Sequence, residues 1–265
     1  MKHRMSSEFI YQLFALLITV IVVHAVYVGV IRPSADTQIR EEMALQAAGE
    51  DYVPERSFAV VIRDFEQEAC FILLLWALAI MGYKGRLCML EQRLLGQRLL
   101  DIPEGTSVLP QDAREYSRSL EALPEKEQDY LLPRTLLAAL QRFATTGSIQ
   151  AVSDTIKESC EVESDRLDSE LSMVRYIAWA IPSIGFIGTV RGIGDALGQA
   201  YKAVEGDISG VTVSLGVAFN STFVALVLSI IIMFCLHQLQ LSQERLVLDC
   251  QRYADKRLMR HLVAA

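Results

Sequence analysis

The amino-acid sequence predicts an all-α integral membrane protein with four transmembrane helices and long cytoplasmic helical extensions. The first observation is composition: 52% of the 265 residues are hydrophobic, 22% are charged, and the mean hydropathy is +0.28. The second is that apolar residues gather in four blocks, and the third is their helical spacing between blocks. This composition excludes an intrinsically disordered chain. The formal net charge of −7 provides no basic surface for nucleic acid.

The four apolar blocks are the predicted transmembrane helices. A helix needs about 20 residues to cross the hydrocarbon core of a bilayer, and residues 9–31 and 211–236 meet this length without a formal charge. Residues 69–83 form a shorter block, which needs snorkelling side chains or local thinning of the bilayer. Residues 176–200 include two charged side chains, which fit a position near the membrane surface or inside a protein bundle. The first block is too long for the apolar region of a secretory signal peptide, so we expect a retained helix.

Basic residues decide the predicted orientation, because short cytoplasmic loops carry an excess of lysine and arginine. The segments after the second and fourth spans are rich in basic residues, whereas the loop after the first span is acidic overall. Both termini (residues 1–8 and 237–265) and the insert 84–175 are therefore predicted to be cytoplasmic. Residues 32–68 are predicted as a periplasmic loop and residues 201–210 as a periplasmic turn.

The cytoplasmic parts are predicted to be helical. Short helices are expected over residues 112–122 and 134–144, after a loop at 101–111 that proline and glycine mark. Ser148 can cap a long helix in which apolar residues recur every three or four positions up to the third span. Because no breaker intervenes, this helix and the third span are predicted to be one helix. Residues 237–265 are likewise expected to extend the fourth helix.

The residue patterns of catalytic, metal-binding and nucleotide-binding sites are absent from the sequence. The five cysteines form no Cys-x-x-Cys pair, and the four histidines have no cysteine or carboxylate at ligand spacing. The glycines of 192–198 depart from dinucleotide-binding spacing and lack a surrounding βαβ unit. We therefore expect no enzyme, no metal and no cofactor. His24 lies in the middle of the first span, as either a functional ionisable group or a neutral, hydrogen-bonded imidazole.

The third and fourth spans contain small and polar residues that a simple membrane anchor does not need. Gly185, Gly188 and Gly192 leave one side of the third span almost without side chains, which allows a neighbouring helix to approach closely. Pro182 predicts a kink and frees backbone groups that must be satisfied inside protein. Polar side chains inside both spans are candidates for an ion path, although each hydroxyl could instead bond the carbonyl four residues earlier in its own helix. These residues are Thr189, Asn220, Ser221 and Thr222.

Two short segments carry a resemblance to a known family. The sequence GTVRG at 188–192, followed by AFNSTFVAL at 218–226, resembles the MotA/TolQ/ExbB proton-channel family over about residues 174–236. The resemblance implies a homopentamer around two copies of a single-span partner of the ExbD, TolR or MotB kind. Each partner copy would carry one carboxylate in the membrane.

The resemblance also implies roles for single residues. The paired pore threonines of the family correspond to Thr189 and Thr222. Two positions depart from the family pattern: Val217 stands where ExbB-like members have a glutamate, and Arg191 stands where several relatives have an apolar residue. Arg191 and Asp195 are four residues apart on one helical face. We therefore predict that they form an ion pair at a subunit interface.

We interpret the chain as a pentameric subunit of an inner-membrane motor that conducts protons, or sodium, and couples ion-motive force to rotation or force. A threonine hydroxyl can donate to a carboxylate or accept from a protonated acid, so a pair of threonines can solvate both forms of a partner aspartate. Two alternatives stay open: a non-conducting scaffold or sensor whose insert binds a cytoplasmic partner, and a flagellar-type stator. The machine served could act in protein transport, envelope maintenance, motility or defence.

Overall fold

The computed structural model describes residues 2–47, 57–103, 105–204 and 206–263, and these residues are almost entirely helical. The chain divides into two compact units: unit 1 comprises Met1–Met81 and Met173–Leu236, and unit 2 comprises Gly82–Ser172 and His237–Ala265. The helices, in chain order, are α1 (Lys2–Val26), a π-helix (Tyr27–Ile31), α2 (Arg32–Ala47), α3 (Phe58–Val61), α4 (Phe65–Leu95), α5 (Ala113–Glu121), α6 (Glu125–Gln128), α7 (Leu131–Thr146), α8 (Ile149–Glu170), α9 (Ser172–Gly198), α10 (Ala200–Val204), α11 (Ser209–Arg257) and a 3₁₀-helix (Met259–His261).

Four helical stretches in the described part of the chain are long and apolar enough to cross a membrane. They are Glu8–Glu42, Phe65–Leu95, Ile149–Gly198 and Ser209–His261. Three of them contain a predicted span in full, and Ile149–Gly198 contains the predicted span 176–200 except for its last two residues. The predicted fold class, an all-α chain with four membrane-spanning helices, is therefore confirmed.

The first helix continues beyond the predicted end at Ile31. α1 passes through the π-helix directly into α2, so the first part of the predicted loop 32–68 is helical. The backbone N–H of Arg32 donates to the carbonyl of Tyr27, one residue further back than in an α-helix. This wider turn directly precedes Pro33, whose ring collides with the carbonyl four residues earlier in a regular α-helix. The prediction stopped where the uncharged block stops, whereas helical hydrogen bonding continues through the polar residues that follow.

In unit 1 the first half of α4 contacts α1 as well as α9. The indole N–H of Trp76 donates to the carbonyl of Gln12 at 3.0 Å. The Cys70 thiol donates to the carbonyl of Ile181 at 3.6 Å. α4 therefore ties the N-terminal helix to the part of the chain that carries the candidate residues.

Unit 2 is a helical bundle in which α7 and α8 pack against the ends of α4 and α11 around an apolar core. Leu140 and Phe143 of α7 and Ile156 of α8 are among its fully buried side chains. The hydroxyl of Ser148 accepts a hydrogen bond from the N–H of Ala151 at 3.3 Å, which confirms the predicted cap of α8. α5 and α7 lie where short helices were predicted, and α11 extends the fourth span to Arg257 as expected.

Two helix boundaries near unit 2 differ from the prediction. α4 continues twelve residues beyond the predicted end of the second span at residue 83 and ends at Leu95, directly before a glycine that weakens the helix. The prediction of a single helix is wrong at one residue, because Leu171 divides the segment into α8 and α9. The N–H of Leu171 donates to the carbonyl of Asp168 at 3.1 Å, three residues back, which makes a tighter turn there.

Candidate functional site

The candidate site lies in unit 1, where α9 and α11 pack directly against each other along a line that we call the α9–α11 seam. The predicted glycines of α9 stand at the closest points of this seam. A Cβ atom at Gly192 would lie 2.8 Å from both the Cβ and the backbone nitrogen of Ala218, and one at Gly188 would lie 2.5 Å from the Cβ of Ser221. At Gly185 an added Cβ would be equally crowded. The helices approach this closely because these positions lack side chains.

Pro182 lies inside α9 and leaves the carbonyl of Ala178 without its helical donor. The hydroxyl of Ser229 on α11 donates to that carbonyl at 3.4 Å. The neighbouring helix therefore supplies the hydrogen bond that the proline removes, as expected for a proline inside a membrane-spanning bundle.

The hydroxyls of Thr189 and Thr222 are in direct hydrogen-bond contact across the α9–α11 seam, and we call them the threonine pair. Thr189 Oγ1 lies 3.0 Å from the carbonyl oxygen of Ala218, and Thr222 Oγ1 lies 3.2 Å from the carbonyl oxygen of Gly185. Each hydroxyl therefore reaches the carbonyl that lies four residues before the other threonine. Because each hydroxyl has one proton to donate, at most two of these contacts and the contact between the hydroxyls are hydrogen bonds at the same time. The Thr222 proton can point either at the Gly185 carbonyl or at the Thr189 oxygen, so the pair has more than one hydrogen-bonding arrangement.

The threonine pair and α4 lie on different sides of the seam. Ser221 is 1% exposed, and its hydroxyl accepts from Nε2 of Gln67 on α4 at 3.3 Å. Thr222 is turned about 100° from Ser221 around the helix and is half-buried, as is Thr189. Exposed apolar side chains adjoin the pair on both helices. They are Phe186 and Ile193 on α9, and Phe219 and Leu226 on α11.

The structure brings together two of the four predicted ion-path residues. Ser221 faces α4 rather than the threonine pair. Asn220 is half-buried and stands two residues before Thr222, about 200° round the helix from it. Within the described residues, no hydrogen bond joins Asn220 to the pair. The geometry therefore singles out Thr189 and Thr222.

Within the chain Arg191 pairs with α4, and the predicted Arg191–Asp195 ion pair at a subunit interface stays a prediction. The guanidinium donates to both carboxylate oxygens of Glu66, with Nε–Oε1 at 2.7 Å and Nη2–Oε2 at 2.8 Å. It also lies 3.9 Å from Asp64, whereas Asp195 is exposed. The two-point contact suits the planar guanidinium better than a partner on its own helix. Glu66 is 125 residues distant in sequence, so helical spacing could not identify it.

Residues 127–252 match the model of the MotA/TolQ/ExbB proton channel family. This segment is therefore a domain similar to that of the MotA/TolQ/ExbB proton channel family. The matched segment contains α7 to α10 and most of α11, including both members of the threonine pair. It is longer than the region of about residues 174–236 that carries the resemblance in the sequence. No curated protein and no solved structure matches the chain.

The match to this proton channel family, together with the four apolar helices, supports a multi-pass membrane protein of the ion-channel, motor-subunit type. The glycines, the proline and the threonine pair all lie within the matched segment. The contacts of the α9–α11 seam are therefore part of the family domain.

An ionic cluster around the buried Glu68 lies outside the family match, and the residue patterns of the sequence do not predict it. The Glu68 side chain is 8% exposed; it forms an ion pair with Arg32, and its Oε1 lies 2.7 Å from Nδ1 of His24. The Arg32 guanidinium stacks over the ring of Phe65, 4.4 Å from its centroid. The ring of His24 is thus hydrogen-bonded to a carboxylate of the next membrane-spanning helix. The available signal was an ionisable residue inside one span and an acid at the start of the next.

Proposed function

We propose that this chain is the ion-conducting subunit of a bacterial inner-membrane motor, in which five copies surround two single-span partner helices. Each partner helix carries one aspartate in the membrane, and proton passage at that aspartate couples ion-motive force to rotation or force. Both termini of the chain lie in the cytoplasm in this proposal, and the chain catalyses no reaction and holds no cofactor. The family match and the four apolar helices support the proposal.

The threonine pair is the observation that carries the proposal. A hydroxyl that turns away from its carbonyl can donate to a carboxylate, and its oxygen can accept from the protonated acid. The Thr222 proton has two acceptors, the carbonyl of Gly185 and the hydroxyl oxygen of Thr189, so it can turn from one to the other. Within the described residues, no carboxylate contacts either hydroxyl. The titrating acid therefore has to come from another chain.

The surroundings of the threonine pair suit an apolar partner helix with a single polar residue. The pair is half-buried on a side of the seam whose neighbours are exposed apolar side chains, including Phe186 and Phe219. An aspartate opposite the hydroxyls would be solvated, while the rest of the partner helix would meet apolar surface. The membrane potential supplies about 2.3 kcal/mol per elementary charge per 100 mV to drive the ion past this point.

The test replaces both threonines, Thr189→Val and Thr222→Val, in the complex co-purified with its single-span partner. Valine has nearly the same shape but no hydroxyl, so we expect potential-driven proton uptake into proteoliposomes to fall to the level of empty vesicles. The number of subunits in the complex should be unchanged. Thr212→Val is the matched control, because the Thr212 hydroxyl donates only to the carbonyl of Ile208, four residues earlier in the chain, at 3.0 Å.

Three outcomes of this test would count against the proposal. Normal proton uptake by the double variant would remove the threonine pair from the ion path. An intact wild-type complex that conducts neither protons nor sodium would favour the non-conducting scaffold. Uptake that requires sodium would replace the proton by sodium as the conducted ion.

A further inference from the structure

One exposed face of unit 2 is predominantly acidic, with one basic side chain, Lys157, at its edge. On α8, acidic side chains recur at steps of four, three, four and three residues, and each is exposed. Like charges three or four residues apart destabilise an isolated helix. Val162 borders this face and is 60% exposed. We call this face the acidic stripe; it consists of Asp154, Glu158, Glu161, Asp165 and Asp168.

A second exposed face of unit 2 is basic and has the same spacing. On the unit 2 part of α4, Arg86, Met89 and Arg93 stand at steps of three and four residues and are exposed. The acid on this part of α4, Glu91, is buried, where it accepts from the N–H of Leu131 at 3.1 Å. Met89 is 57% exposed and so offers an apolar contact, as Val162 does on the acidic stripe. We call Arg86, Met89 and Arg93 the basic stripe.

The two stripes face in opposite directions. α4 and α8 meet inside unit 2 at the ion pair of Lys84 with Glu170, where Nζ and Oε2 are 2.7 Å apart. Arg93 stands nine residues after Lys84, and Glu161 stands nine residues before Glu170. Nine residues are about two and a half helical turns, so each of these side chains points away from the contact between α4 and α8. Complementary surfaces on opposite faces are what a head-to-tail ring of identical subunits requires.

The two stripes also lie at the same height along the helices α4 and α8. Leu131 and Arg134 lie together in the first turn of α7; Leu131 contacts Glu91 of α4, and Arg134 pairs with Glu163 of α8 at 2.7 Å. Together with the Lys84–Glu170 pair, these contacts show that α4 and α8 run antiparallel. Arg93 and Glu161 are therefore displaced from that pair by the same distance in the same direction. A rotation about an axis parallel to the helices brings Arg93 of one copy to the height of Glu161 of the next.

We propose that the acidic stripe of one copy docks on the basic stripe of the next copy, with Glu161 facing Arg93 and with Val162 and Met89 as apolar neighbours. The proposal rests on the ring assembly of the proposed function and gives that ring a second interface, in unit 2. The occupant is a second copy of this chain, because the chain itself supplies the complementary charge at the matching spacing and height. Within the described residues, no ion pair engages Arg86, Arg93 or Glu161, so their charges are available for this contact.

The experiment reverses the two facing charges separately and then together, in the full-length chain in nanodiscs. Like charges that meet across an interface weaken association by about tenfold or more, so Arg93→Glu or Glu161→Arg should lower the fraction of complete assemblies by at least that factor. The double variant restores opposite charges and should recover wild-type assembly. The matched control is Lys126→Glu on exposed α6, which should leave assembly unchanged. Mass photometry at low and high salt counts the subunits.

A cross-linking measurement keeps the proposal testable if a charge reversal disturbs folding. The variant with both Arg93→Cys and Glu161→Cys, treated with a short bismaleimide, should give a ladder of covalent oligomers, and each single variant should not. Single reversals that assemble like the control, or cross-links confined within one chain, would overturn the docking while leaving the threonine-pair test intact. A wild-type chain that is monomeric in nanodiscs would overturn the proposed ring as well.

Discussion

Replacing Gly192 by alanine should force α9 and α11 apart. The added Cβ would lie 2.8 Å from the backbone nitrogen and from the Cβ of Ala218. An ordinary contact of this kind is at least 3.4 Å, so the seam must open by roughly 0.6 Å or distort. A backbone atom cannot rotate away as a side chain does. Overpacking of this kind costs about 1–3 kcal/mol, and we expect a loss of stability in that range.

Gly194 is the matched control, because it lies on the same helix and an added Cβ there would meet no atom within 4 Å. Alanine is favoured over glycine inside a helix by roughly 0.5–1 kcal/mol, so Gly194→Ala should be neutral or slightly stabilising. Adding Ala218→Gly to Gly192→Ala should restore only part of the stability, since the backbone nitrogen remains in place. Equilibrium unfolding in mixed micelles, followed by circular dichroism, measures all three variants. If Gly192→Ala and Gly194→Ala were equally stable, glycine at position 192 would not be required for the close approach of α9 and α11.

Two further predictions concern unit 2. Ser148→Ala removes the side-chain acceptor of the Ala151 N–H and should lower stability by about 1 kcal/mol; an unchanged unfolding curve would mean that water replaces the cap fully. Glu163 is 3% exposed and pairs with Arg134 and Arg166, at 2.7 and 3.2 Å. Because both arginines are partly solvated, Glu163→Gln should cost about 1–3 kcal/mol. Because this carboxylate is buried, the loss of stability caused by Glu163→Gln should be the same at low and high salt. A smaller loss at high salt would contradict the assignment of Glu163 as a buried partner of the two arginines.

The sequence allowed the four spans and the residues of the seam to be predicted because their signals are local. Runs of uncharged residues define the spans, and glycines at steps of three and four residues define a helix face that another helix can approach. Thr189 and Thr222 could be proposed as partners from the family resemblance. Their crossed hydrogen bonds to Ala218 and Gly185 depend on the rotation of two helices, which no single segment encodes.

The ion pairs were the part that the sequence could not specify. Arg191 had an acid at the correct helical spacing, Asp195, yet its partner is Glu66 on another helix. Spacing identifies which residues share a face but leaves open which face meets a neighbouring helix. Glu68 is the last residue of the predicted loop 32–68, whereas its contacts with His24 and Arg32 place it against α1 and α2. Both sets of contacts arise from the packing of α4, whose partners are far away in sequence.

The close seam and the threonine pair depend on each other. An isolated membrane threonine satisfies its hydroxyl with the carbonyl four residues earlier in its own helix. Thr189 keeps a contact of this kind with Gly185, at 3.3 Å, but its shorter contact, at 3.0 Å, is with Ala218 of α11. With a side chain at Gly192, the helices would separate and the interhelical contacts would lengthen first, which would leave each hydroxyl to its own helix. The glycines therefore do more than allow packing: they hold the two hydroxyls close enough to exchange partners, and that exchange is the property an ion path at this position requires.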